Sequence, residues 1–180
     1  MESRPQIFAC VGPESTGKTT LCNQLASHSG GSMVPEFARE YITAKGGNYV
    51  ESDLITIAEN QLKLENNIIS QSTGPFFCDT DILVIMVWHQ FKYGRRNKEI
   101  EQLFELQKPR KYLLTYPDIE WEPDPLRENP NDLQQIFQLY EFSLKSINAD
   151  YKIIRGIGDQ RLSNAVEAVS SFFAQSRKEK

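Results

Sequence analysis

Apolar residues in this chain fall into two kinds of segment, and the two kinds alternate. Short, nearly continuous apolar runs occupy residues 7–11, 33–35, 75–79, 110–115 and 151–155. Runs of that length without polar alternation are expected of strands buried on both faces of a parallel sheet. Between them, apolar positions recur at helical spacing. The segment 53–69 places Leu54, Ile57, Ala58, Leu62 and Ile68 on one face, and 132–147 does the same with Leu133, Ile136, Phe137, Tyr140 and Leu144. Further helices are expected after residue 18, from 36 to 42, over 81–91, over 98–107 and over 162–173. Ser29-Gly30-Gly31-Ser32, Lys45-Gly46-Gly47 and Ser72-Thr-Gly-Pro75 punctuate them. Ser52 and Asp53 are the expected cap of the long helix. The 81–91 segment is apolar on every side through Ile82–Trp88, which predicts a buried helix, although periodicity alone leaves part of it compatible with a strand. Residues 178–180 are expected to fray.

Alternating strands and helices specify an α/β fold in three layers, with a central parallel five-stranded sheet and helices on both faces. The stretch 116–130 breaks the pattern. It holds four prolines and many acids and reads as an irregular excursion suited to a small lid. Nothing linker-like divides the chain, so residues 1–180 are expected to form a single domain with its lid at about 116–130.

One turn carries the most specific chemistry. Gly12-Pro-Glu-Ser-Thr-Gly-Lys18-Thr19 follows the first apolar run and opens into the first helix, the layout of a P-loop in a P-loop NTPase fold. Gly12 and Gly17 allow turns in which successive N–H groups face a phosphate, and the helix start adds its positive end. Gly12, Pro13, Glu14, Ser15, Thr16, Gly17, Lys18, Thr19 and Thr20 are therefore the expected binding residues for ATP. Lys18 would reach the β- and γ-phosphates, and the Thr19 hydroxyl would hold Mg2+.

In a parallel sheet, ligands collect at the carboxyl ends of the strands. That rule gathers the P-loop, 36–39, 79–81, 116–130 and 156–161 along one edge. Asp79 ends an apolar strand, where a carboxylate joins the Mg2+ shell. Asp81 is either a plain N-cap or a second acid that binds a substrate ribose or activates its hydroxyl. Glu36 and Arg39 follow the second strand, where an acceptor would sit; the plain alternative is surface charge. Arg127 in the excursion is a candidate lid arginine for transferring charge, against a solvated loop residue. Arg161 is a candidate cation–π partner for adenine, against an exposed helix start. Arg95, Arg96 and Lys98 read as a solvated helix start rather than a phosphate contact. His28 and His89 stand alone as surface or packed residues.

Charge narrows the partners. The 180 residues carry a formal net charge of −4, which argues against an electrostatic nucleic-acid binder. No segment has the apolar length of a membrane span, and the N-terminal residues lack a signal peptide's apolar region. Three cysteines, Cys10, Cys22 and Cys78, lack metal-ligand spacing; reduced thiols in a cytoplasmic protein are expected, with Cys10 and Cys78 as small core residues. The oligomeric state is not legible.

Four stretches, in order, resemble the nicotinamide riboside kinase domain of the bifunctional NAD-biosynthesis and regulatory proteins of bacteria. They are the P-loop, Val34-Pro-Glu-Phe-Ala-Arg-Glu-Tyr41, Phe77-Cys-Asp-Thr-Asp81 and Trp121-Glu-Pro-Asp-Pro-Leu-Arg127. The resemblance implies transfer of the ATP γ-phosphate to the 5′-hydroxyl of nicotinamide riboside, a small-molecule nucleoside. It implies Lys18 and Thr19 on ATP and Mg2+, Glu36 and Arg39 near the acceptor, Asp79 and Asp81 at the reacting centre, and Arg127 in the lid. Where that family commonly has Asp-Gly-Leu-Arg, this chain has Asp124-Pro-Leu-Arg127, and proline removes the positive-φ freedom of glycine at the expected hinge. A further downstream lid arginine has no counterpart in Glu128–Asp132. The sequence has no His-x-Gly-His motif of a nucleotidyltransferase and no helix-turn-helix segment, so adenylylation of the product is expected elsewhere. Two other readings remain: a kinase for another nucleoside, nucleotide or small metabolite, and a regulatory ATP-binding switch, which needs no acceptor pocket.

Overall fold

The computed structural model describes residues 5–178, so the expectation for 179 and 180 lies outside the described residues. Five parallel strands, β1 (Gln6–Val11), β2 (Ser32–Val34), β3 (Pro75–Asp79), β4 (Lys111–Thr115) and β5 (Tyr151–Ile154), form one sheet in the order β2-β3-β1-β4-β5. The helices are α1 (Lys18–Ser29), α2 (Phe37–Ala44), α3 (Glu51–Gln71), α4 (Ile82–Tyr93), α5 (Lys98–Glu105), α6 (Leu133–Ser146) and α7 (Gly158–Lys178). The expected three-layer α/β fold is the observed one.

The central strand shows why. In β1, Ile7, Ala9 and Val11 face a core shared with α4 and α6, while Phe8 and Cys10 face a core shared with α1 and α7. A strand covered on both faces has no polar side, hence its unbroken apolar run. A third apolar cluster joins α2, α3, α4 and α5. All three cysteines are buried and free. Among the described residues no helix is long and apolar enough to cross a membrane.

Boundaries differ in informative ways. The cap of α3 is Val50, not Ser52-Asp53; Asp53 sits one turn inside and its carboxylate accepts the Val50 N–H at 2.8 Å. Lys45 and the Tyr41 hydroxyl also donate to Asp53 and hold that carboxyl at about 2, Lys45 most strongly. Helix α7 begins at Gly158, four positions before the expected 162, because Arg161 anchors its first turn from within. Helix α4 is not simply buried: Leu83 and Val87 join one core and Ile82 and Ile85 another, while Val84, Val87, Trp88 and Phe91 line a cavity. His89 packs inside, its Nε2 2.8 Å from Glu51, and His28 is exposed.

Candidate active site

The carboxyl ends of β1, β3 and β4 open into a cavity of about 380 Å³, within the range of small-molecule sites. Every residue from Gly12 to Thr20 lines it, as do Glu36, Arg39, Asp79, Arg127 and Arg161.

The P-loop is shaped by its neighbours. A Cβ on Gly12, at φ +142°, would stand 2.4 Å from Thr115 Oγ1 and 2.7 Å from the Thr115 carbonyl, so the close approach of β4 excludes any side chain there. Gly17, at φ +73°, turns the chain into α1. Thr16 is buried against Thr115, their hydroxyl oxygens 2.6 Å apart. Lys18 Nζ folds over the loop and donates to the carbonyls of Gly12 at 3.0 Å and Pro13 at 2.7 Å. Burial pushes its pKa down, while the Asp79 and Glu36 carboxylates oppose that shift.

Asp79 projects from the end of β3 and accepts the Thr19 hydroxyl at 2.5 Å through Oδ2. Its Oδ1 is buried without a hydrogen-bond partner. An orphaned carboxylate oxygen is costly, and here burial raises the Asp79 pKa against the pull of Thr19 and Lys18. A hard cation would remove that cost. One carboxylate and one hydroxyl suit Mg2+, which keeps several waters and binds phosphate oxygens as well.

Thr80 then takes φ +72°, an unusual geometry for a β-branched residue, with its N–H on the Cys10 carbonyl. This bend separates the two aspartates. Asp79 joins the P-loop, whereas Asp81 turns into the protein and does not line the cavity. Asp81 Oδ1 caps α4 through the Leu83 N–H, and Oδ2 accepts from Gln107 and stands 3.7 Å from Arg110. The reading of Asp81 as a ribose ligand or base is therefore corrected: a carboxylate that caps α4 and faces Arg110 is already committed.

Glu36 precedes α2, and burial first, then Asp79, raises its pKa, with Lys18 and Arg39 opposing. Its place is set by Gln61, a residue sequence reasoning missed. Buried on α3, Gln61 accepts the Phe37 N–H at 2.8 Å and donates to the Pro35 carbonyl at 3.1 Å. A glutamine inside an apolar helical face was the available signal. Arg39 is half exposed and reaches both Glu36, at 4.0 Å, and Asp124 of the excursion, at 3.0 Å.

The excursion is docked on the P-loop. Glu14 accepts the N–H groups of Glu128 at 3.0 Å and Asn129 at 3.3 Å, and Ser15 Oγ accepts from the Glu122 N–H at 3.0 Å and Arg127 at 3.3 Å. Pro125 fits because Asp124–Arg127 is a β-turn closed by Arg127 N–H on the Asp124 carbonyl at 3.0 Å. Proline at the second position of such a turn needs no positive φ.

Arg161 is not an exposed helix start. Its guanidinium, almost fully buried, donates to the carbonyls of Gly156 at 2.7 Å, Ile154 at 3.4 Å and Tyr116 at 2.9 Å, and pairs with Asp118. It ties the ends of β4 and β5 together beside the cavity that it lines. Among the described residues, two other guanidinium groups lie on rings: Arg155, 3.5 Å from the Tyr116 centroid, and Arg127, 5.9 Å from that of Trp121. Arg95, Arg96 and Lys98 lie outside this cavity: Arg95 meets Glu51 at 2.5 Å, Arg96 pairs with Glu101, and Lys98 opens α5 behind the Asn97 cap.

The far wall comprises Val84, Trp88 and Phe91 of α4 with Ile136 and Tyr140 of α6. Sequence reasoning did not assign these residues to the site. The all-round apolarity of α4 was their trace.

Known proteins share this fold. The chain is 24% identical over 179 residues to the trifunctional NAD biosynthesis/regulator protein NadR of Escherichia coli (strain K12), covering 96% of this chain and 44% of that protein. The structure is similar to a NadR protein crystallised with NR (TM-score 0.75, 21% identity, 93% of this chain, 50% of that one). It is similar also to a NadR protein with NAD and AMP-PNP (TM-score 0.70, 21% identity, 93% and 49%). The chain thus spans about half the length of these relatives. The AAA domain family matches residues 7–161, a span that runs from the first residues of β1 through the P-loop and the excursion to Arg161, and the chain belongs to that family.

Proposed function

We propose that this chain is an ATP-dependent small-molecule kinase that transfers the γ-phosphoryl group to the 5′-hydroxyl of nicotinamide riboside. The observation that carries the reading is one continuous cavity with a P-loop at one end and an aromatic wall at the other. Glu36 and Arg39 lie at its edge. A switch needs no second compartment, whereas a kinase does. The similarity to NadR proteins, one crystallised with NR and another with AMP-PNP, supports the choice of acceptor and donor.

In this reading the P-loop amides and Lys18 bind the triphosphate, and Thr19 with the free oxygen of Asp79 would hold Mg2+. When bound, that ion supplies charge neutralisation at the β- and γ-phosphate oxygens. The acceptor base packs against Trp88, Phe91 and Tyr140. With Asp81 committed elsewhere, we assign Glu36, which lines the cavity beside Asp79 and Lys18, to orient the attacking hydroxyl and receive its proton. The new bond joins the 5′-oxygen to the γ-phosphorus, the bond from that phosphorus to the bridging oxygen breaks, and ADP departs. In the same reading Arg127, which donates to Ser15 of the P-loop, stabilises charge on the transferring group.

The direct test measures Mg-ATP consumption with nicotinamide riboside beside adenosine, uridine, thymidine and their monophosphates. Strong stimulation by nicotinamide riboside, with the mononucleotide as product, is expected. Stimulation by a different acceptor would keep the kinase and overturn the substrate; slow turnover indifferent to all of them would favour the switch.

Asp79→Asn separates stability from activity. Its raised pKa means that the folded state favours the protonated acid, so the charge costs stability increasingly as pH climbs through and above the ordinary 3.8. The amide keeps an acceptor for Thr19 and removes the charge. At pH 7 the ligand-free variant should melt about 3 °C higher, near 1 kcal/mol, while activity falls about a hundredfold and the Mg2+-dependent rise in nucleotide-bound Tm disappears. Unchanged activity would move the metal role to another residue.

A further inference from the structure

The docked excursion has a second side. Successive residues turn opposite ways: the Arg127 side chain and the Glu128 and Asn129 N–H groups meet the P-loop, whereas the side chains of Leu126 and Glu128 meet the helices behind the aromatic wall. Leu126 packs into the cluster that contains Tyr49 and Trp88. Glu128 Oε2 accepts the Tyr49 hydroxyl at 2.9 Å.

Tyr49, in the loop between α2 and α3, uses every bonding capacity of its hydroxyl. It donates to Glu128, and it accepts from Trp88 Nε1 at 2.9 Å and from Lys92 Nζ at 2.5 Å. Lys92 closes the circuit on Glu128 at 3.2 Å. The Tyr49 and Trp88 rings also meet edge to face, 4.8 Å between centroids. Burial and the adjoining Glu128 carboxylate raise the Tyr49 pKa, which keeps the phenol a donor. Trp88 itself lines the cavity. A single hydroxyl therefore joins the segment that covers the P-loop to an indole on the opposite wall.

We propose that Tyr49 is a positioning residue for acceptor recognition: through the Glu128–Tyr49–Trp88 contacts, seating of the 116–130 lid on the nucleotide end sets the Trp88 wall that the acceptor meets. The consequence is coupling between the two half-sites, since a wall ordered by the closed lid holds acceptor better once nucleotide has settled that lid. The acceptor part of this proposal rests on the kinase reading above; the coupling itself does not.

The test uses that independence. The chain has two tryptophans, Trp88 and Trp121, so Trp121→Phe leaves Trp88 as the sole tryptophan, excited selectively over the tyrosines at the red edge of the absorption band. Addition of Mg-AMP-PNP should change Trp88 emission in this background, and adding Tyr49→Phe, which keeps the ring contact but deletes the hydroxyl, should remove at least half of that change. No nucleotide-induced change, or an equal change with and without the hydroxyl, overturns the coupling whatever the acceptor proves to be. In the otherwise unaltered protein, Tyr49→Phe should raise KM for nicotinamide riboside at saturating Mg-ATP about fivefold to tenfold, the scale of one lost buried hydrogen bond, and KM for ATP at saturating nicotinamide riboside by a similar factor, while the Kd of Mg-AMP-PNP alone stays within about twofold. Glu128→Gln, which retains an acceptor for the phenol, should stay nearer the parent than Glu128→Ala. Weakening of each ligand measured alone, as large as in the presence of the other, would make Tyr49 a general structural residue and overturn the proposal. If nicotinamide riboside gives no turnover while the emission change behaves as expected, the acceptor assignment fails and the coupling stands.

Discussion

Lys18→Ala is expected to lower kcat/KM for phosphoryl transfer by about a thousandfold or more, with a circular dichroism spectrum and melting temperature close to those of the parent. The magnitude follows from charge placed where charge develops: one preorganised donor in a water-poor site is worth about 10²–10³ in rate, and an ammonium on the β- and γ-phosphates also carries binding. The fold should survive because the Lys18 partners are carbonyls of its own loop, Gly12 and Pro13. Burial lowers its pKa, so the ammonium is held in the site at a cost that alanine relieves. Initial-rate kinetics with Mg-ATP check this. A variant with a tenth of parental turnover would take Lys18 off the phosphates, and one that fails to fold would show that the ammonium braces the loop.

Arg110→Ala should act on stability. Arg110 lies almost fully buried between Glu65, which it meets through two nitrogens at 2.8 and 2.7 Å, and Asp81 at 3.7 Å. Burial alone would favour a neutral guanidinium; the hydrogen bonds to Glu65 and the charges of Asp81 and Glu65 outweigh that and raise its pKa. Two carboxylates face one cation, and burial already raises the Asp81 pKa despite Arg110. Removing the cation strands both. The expected loss is about 3–5 kcal/mol, or roughly 10 °C in Tm for a chain of this size. The sign with pH is fixed by Asp81: its raised pKa makes the deficit largest at neutral pH and smaller as acid protonates it. Glu65→Gln in the Arg110→Ala background should recover about 1 kcal/mol or more. Urea denaturation at pH 5 and pH 7.5 reads both effects, and a deficit below 1 kcal/mol would show that water or local relaxation already solvates these carboxylates.

That cluster also reveals why the two aspartates of Asp79-Thr-Asp81 could not be separated by inspection. Asp79 ends the apolar strand and Asp81 opens the next helix, two residues apart, so spacing alone allows both at the reacting centre. Which one faces the cavity depends on the left-handed bend at Thr80 and on Arg110, which arrives from the start of β4, 29 positions after Asp81. The burial of Arg161 was illegible for the same reason. A glycine-flanked arginine at a helix start looks free, yet its acceptors, the Tyr116 carbonyl and Asp118, come from more than 40 positions earlier.

The sequence by itself determined what is local. Unbroken apolar runs, helical spacing and glycine punctuation specified five strands, seven helices and their parallel arrangement, because burial on both faces leaves no other pattern for a strand. The P-loop was legible because its function demands glycines and a lysine at fixed spacing within nine residues. Tertiary structure alone decided the rest. Gln61 holding Glu36, the α4 face that walls the cavity, the docking of 126–129 on both half-sites and the commitments of Asp81 and Arg161 all join residues distant in the chain. No spacing encodes such pairs, since each depends on how packed helices and strand ends bring their side chains into hydrogen-bond range.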